Sequence, residues 1–147
     1  MADITNTVRV FLDEQEFQYS FDEERNAYEL GLKLQNGSCQ VRIVCRDKED
    51  SFMIFAFWEG KLPVKSVPSV YPIINDINFN TRFTTVTIDP EDGELACHCG
   101  VNTDGIEPST DMVGVSLHVT VKTLDDNIER IMQAAWNTPA NADGKFN

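Results

Sequence analysis

Residues 28–46 alternate in character, and no other stretch constrains the fold as tightly. Tyr28, Leu30, Leu32 and Leu34 are interleaved with Glu29, Gly31, Lys33 and Gln35, and Cys39, Val41, Ile43 and Cys45 with Gln40, Arg42 and Arg46. A period of two sends successive side chains to opposite faces of a strand, which a helix cannot do. Between the runs lies Asn36-Gly37, a pair that tolerates the positive φ of a tight hairpin turn. The chain therefore contains an antiparallel hairpin. The polar tract Asp47-Lys48-Glu49-Asp50 predicts a second turn, and SFMIFAFW, residues 51–58, is apolar at nearly every position. Such a run suits a strand covered on both faces, and it completes a three-stranded meander.

Helical periods bracket this sheet. Ile4, Val8, Phe11 and Leu12 form one stripe, with Asp3 or Thr5 available as cap. The register dissolves near Phe17, and FDEERNA, residues 21–27, reads as a turn. Val70, Ile74 and Ile77, with Tyr71 beside them, predict a short helix. Ser69 as its N-cap would put Pro72 in the first turn, where no intrahelical amide bond is needed. Asn75, Asn78 and Asn80 suit its end. A second hairpin follows, with Phe83, Val86 and Ile88 in one strand, Asp89-Pro90-Glu91-Asp92-Gly93 as the turn, and Leu95 to Val101 returning. The segment GVSLHVTVKT is rich in β-branched residues, which favours a strand. Yet Val113, Leu117, Val121, Leu124, Ile128, Ile131 and Ala135 step by threes and fours without a break. Long periodicity outranks local propensity, so one helix is expected over residues 110–136. The order is α-βββ-α-ββ-α: an α+β domain with a five-stranded antiparallel sheet and helices packed on it. Residues 1–137 are expected to form this single domain, and residues 138–147 a mobile tail.

Charge narrows function by exclusion. Twenty-four acids against twelve bases leave −12 over 147 residues, a field that repels nucleic acid and anionic membrane surfaces. Residues 1–15 show neither a positive leader nor a continuous apolar core, and no run approaches the roughly 20 apolar residues of a spanning helix. A cytoplasmic protein with four free thiols is expected.

The stretch YPIINDINFNTRFTTVTIDPEDGELAC, Tyr71 to Cys97, places a helix ending in asparagines before a strand, an acidic glycine turn and a second strand. Together with the element order, it resembles the YbjN family of bacterial sensory transduction regulators, which has the type III secretion chaperone-like fold. The resemblance implies a small bacterial protein that binds other proteins and has no catalytic residue. Secretion chaperones of this fold are typically dimers that present surface grooves to an extended segment of a partner.

Two features compete for the role of site. In ELACHCGVN, residues 94–102, strand parity puts Leu95, Cys97, Cys99 and Val101 on one face and His98 on the other. The cysteines then read as core, and a metal-binding or thiol-redox protein using Cys97, His98 and Cys99 is the alternative. His118 reads as a helix-flank residue, and Asp89, Glu91, Asp92 and Glu94 as turn chemistry without EF-hand spacing. The aromatics carry more weight. Phe52, Phe55, Phe57 and Trp58 cannot all lie on one face of a strand, so the protein's own helices or another chain must cover the second face. The function expected is non-enzymatic protein binding, chaperone-like or adaptor-like, by a homodimer without cofactor or metal. The expected partner-binding residues are Phe55, Phe57, Trp58, Tyr71 and Ile74.

Overall fold

The computed structural model describes residues 3–136, so Met1, Ala2, residue 137 and the tail at 138–147 lie outside the described residues. Helix α1 (Ile4–Glu14) starts at Asp3, whose carboxylate accepts from the Asn6 amide at 3.0 Å. Its stripe of Ile4, Val8, Phe11 and Leu12 is buried. A polar knot pins its first turn to the sheet. Asp47 accepts from the amide and hydroxyl of Thr5 at 2.9 and 2.5 Å, and Tyr28 donates to the Thr5 carbonyl at 2.9 Å. A carboxylate so placed also complements the positive end of the helix.

Strands β2 (Ala27–Leu34) and β3 (Gly37–Arg46) form the expected hairpin. Leu34 pairs with Gly37, so the connecting residues are Gln35 and Asn36, one position earlier than the Asn-Gly pair suggests. The long C-terminal helix holds the turn there: Asp125 accepts from the amides of Gln35 and Asn36 at 3.0 and 3.1 Å. A single 3₁₀ turn, Asp47–Glu49, leads into β4 (Ser51–Lys61). Strand β5 (Thr85–Ile88) and β6 (Glu94–Asn102) form the second hairpin, with β6 beside β4.

The sheet has six strands rather than five, all antiparallel, in the order β1-β2-β3-β4-β6-β5. The extra strand, β1 (Ser20–Asp22), falls partly inside the expected turn. Three residues cannot display a period, and what holds them is tertiary: Phe21 packs on the Tyr28 ring, 4.7 Å between centroids.

Helix α2 (Val67–Asn80) begins two residues before the expected cap, so Pro72 lies inside it. Burial explains the shift. Val67 joins Val70, Ile74 and Ile77 in the core, and that offsets the amide bond Pro72 cannot make. Pro68, whose carbonyl loses that bond, is exposed to water. Helix α3 (Thr110–Trp136) matches the expected range. Its β-branched threonines settle into the helix by back-bonding. The hydroxyls of Thr120 and Thr123 donate to the Ser116 and Val119 carbonyls, each at 2.7 Å.

The three helices share one face of the sheet: α3 lies on β4 and β6, flanked by α1 and α2. Phe52, Ile54, Leu95, Leu124 and Ile128 are fully buried between the layers, each stabilising the fold by about 2 kcal/mol relative to exposure. No helix among the described residues is long and apolar enough to cross a membrane. Among the described residues, no helix lies on the opposite face of the sheet.

Candidate protein-binding face

Strand parity assembles this open face. Phe52, Ile54 and Ala56 on β4 point to the helices and are buried, whereas Met53, Phe55 and Phe57 point away and stay partly exposed. Pairing brings β3 and β6 alongside in register, so that Arg42 and His98 flank Phe55, and Val44 lies opposite Met53. The rings of Phe55 and Phe57 stack at 5.8 Å and 7°, and the His98 imidazole lies 5.6 Å from Phe55. The Arg42 guanidinium sits over Phe57, 5.4 Å from the ring centroid, and Glu29 fixes it there by accepting from Nε at 3.1 Å. A cation over an aromatic face adds about 0.5–1 kcal/mol at a partly exposed site. The outcome is a concavity of about 700 Å³ floored by Val44, Met53, Phe55 and Phe57 and edged by arginines and glutamates.

The five residues expected to bind a partner do not form one surface. Phe55 and Phe57 come together as the stacked pair. Trp58 follows the parity of Ala56, packs against the core on the helix side, and donates its indole N–H to the Asn36 carbonyl at 3.1 Å. Gly60 permits this, because a Cβ there would lie 2.7 Å from the indole ring. Tyr71 is 47% exposed on the outer side of α2. Ile74 is buried in the core, since it stands one helical turn after Val70 and its stripe faces the sheet. Arg42, Glu29 and Met53 belong to the face and were not singled out from the sequence. A signal was present: with Arg46 and Ser51 paired across the 47–50 turn, Arg42 must lie opposite Phe55.

The cysteine run is divided as parity predicts. Cys97 and Cys99 are buried under the helices, while His98 lies on the open face. Burial pushes the thiols up, Cys39 to about 11 and Cys45 and Cys97 to about 12, with Cys99 raised as well. Among the described residues no group of three or more His, Cys, Asp or Glu side chains could hold a metal ion. At pH 8 the native thiols are therefore expected to stay protonated and to react with a disulfide reagent far more slowly than in urea. The folded values lie above the ordinary 9.0, so the unfolded chain loses these protons first. This contribution to stability is complete below about pH 9 and drains away as pH climbs toward 12. A native thiol that reacts at pH 8 as fast as the denatured protein would contradict the placement.

The crystal structure of YbjN from E. coli superposes with a TM-score of 0.64 at 12% identity, covering 86% of this chain and 92% of that one. The ExsC–ExsE complex gives 0.63 at 9% identity, covering 89% and 97%. The Yersinia pestis type III secretion chaperone SycH, solved with a fragment of YscM2, gives 0.52 at 9% identity, covering 90% and 99%. No curated protein matches the chain in sequence. Residues 5–134 match the profile of the YbjN family, described as "Putative bacterial sensory transduction regulator". With nearly the whole folded domain inside that match, this chain belongs to the YbjN family.

Proposed function

We propose that the protein is a non-enzymatic, cytoplasmic binding domain that buries a segment of a partner protein on the open face of its sheet. The observation that carries this is the stacked Phe55–Phe57 pair, held partly exposed on a sheet face that none of the three helices covers. Aromatic rings kept rigid on a strand make low-entropy contact surface, and such rings dominate binding energy at interfaces. Proteins of the same fold support the reading, since ExsC is seen with ExsE and SycH with a fragment of YscM2.

The working unit is a homodimer joined through the outer side of α2. Two copies, each at −12, repel wherever their acids meet. The outer side of α2 avoids this: its one charged residue, Asp76, is paired with Arg130 at 2.6 Å. Tyr71 and Phe79 stand exposed on it, and Phe83 just beyond. Light scattering should give twice the chain mass for the wild type and the single mass after Tyr71→Ser with Phe79→Ser. A wild type that stays monomeric at high concentration would end the dimer.

Binding is read separately. A photo-crosslinker carried on the open face should capture a partner protein in the native bacterium, and Phe55→Ser with Phe57→Ser should weaken capture at least about thirtyfold. The α2 substitutions should leave it largely intact. Equal capture by the Phe55/Phe57 variant would place the partner elsewhere.

A further inference from the structure

On the open face Arg42 and Arg46 present open guanidinium N–H groups beside an apolar floor. Glu29 engages only the Nε of Arg42, and its Nη groups have no hydrogen-bond partner among the described residues. Arg46, four residues along β3 on the same side, has no side-chain partner there at all. Val44 lies between them, with Met53 opposite. Guanidinium N–H groups left open in this way are complementary to carboxylates.

We infer that the occupant is an extended partner segment with an acidic residue, an apolar residue and a second acidic residue at alternate positions. This rests on the proposed protein-binding role of the same face. The spacing follows from strand geometry. Residues i, i+2 and i+4 of an extended segment share one side and span about 13 Å, the same span as Arg42 to Arg46 along β3. One carboxylate meets Arg42, the apolar side chain packs on Val44 and Met53, and the other carboxylate meets Arg46. Glu24 and Glu49 also line the concavity, and its third arginine, Arg25, is paired with Asp22, so acids beyond these two are disfavoured. Together with the net charge the two glutamates disfavour a polyanion such as single-stranded RNA, which would otherwise suit stacked rings beside arginines. The overall charge of −12 does not prevent the contact, because salt screens distant charges over about 8 Å.

The test is a titration of the isotopically labelled full chain, followed by the NMR shifts of its backbone amides. The probe is a nine-residue peptide of serine and threonine with glutamate third and seventh and leucine fifth. It should perturb β3 and β4 around Val44 and Met53 and bind about tenfold more tightly than the same peptide with two glutamines, an advantage that added salt removes. That advantage should vanish with Arg42→Gln and Arg46→Gln, and should fall when the second glutamate is moved next to the leucine. If the glutamine peptide binds the face equally well, the acidic pattern is wrong and the binding face stands. If neither peptide perturbs the face at millimolar concentration, the proposed function fails with the inference. Tighter binding by an oligouridylate than by the glutamate peptide would overturn the inference in favour of nucleic acid.

Discussion

Gly93→Ala is expected to remove at least about 3 kcal/mol of stability, a large share of the 5–15 kcal/mol that holds a domain of this size. Gly93 sits at φ 79, where a side chain costs about 1–2 kcal/mol. The greater part of the loss is tertiary. A Cβ on Gly93 would lie 2.0 Å from the carbonyl oxygen of Leu62, an overlap that only backbone movement relieves. The moving segment matters, because the Leu62 amide donates to the Gly93 carbonyl at 3.0 Å and the Leu62 side chain is buried in the core. The second hairpin would therefore pull away from the end of β4. Chemical denaturation measures this directly. A loss below about 1 kcal/mol would show that the β4 end yields without cost.

Asn78→Ala should lower stability by about 1–3 kcal/mol and also expose the sheet to strand addition. β5 is an edge strand, and the N–H and C=O of Val86 are among its outward hydrogen-bonding groups. The Asn78 carboxamide occupies both. Its Oδ1 accepts from the Val86 amide at 2.8 Å, and its Nδ2 donates to the Val86 carbonyl at 3.0 Å. A side chain thus takes the place of a seventh strand. Alanine leaves both groups open, so amide exchange at Val86 should accelerate and self-association should grow with concentration. Asn78→Asp separates the effects: its carboxylate still accepts from the amide but gives the carbonyl no donor, so an intermediate loss is expected. Unchanged exchange at Val86 in Asn78→Ala would rule out this role. Because self-association through β5 does not use Tyr71 or Phe79, combining the substitutions distinguishes it from a dimer through α2.

These two residues show how far each signal reaches. Gly93 was legible as a turn residue from Asp89-Pro90-Glu91-Asp92, but its clash partner lies some thirty positions earlier. Asn78 was legible as a residue suited to a helix end, and its bonds to β5 were not. The two strands within 28–46 and the helix over 113–135 were legible, because each is a local pattern repeated over many residues, although the hairpin turn falls one position earlier and Thr120 rather than Val121 is buried. β1 was missed because three residues carry no pattern, and the start of α2 because burial of Val67 outweighs the proline rule.

The candidate site divides along the same line. Parity alone separates Phe55 and Phe57 from Phe52, Ile54 and Ala56, and His98 from Cys97 and Cys99, since a strand has only two faces. Which of those faces the helices would cover could not be read from β4, where both are apolar. Among the described residues, all three helices pack on the face that carries Phe52 and none on the face that carries Phe55. That choice depends on contacts between segments far apart in sequence. It is settled where the stripes of α1, α2 and α3 bury their apolar area together, against Ile43, Ile54 and Leu95.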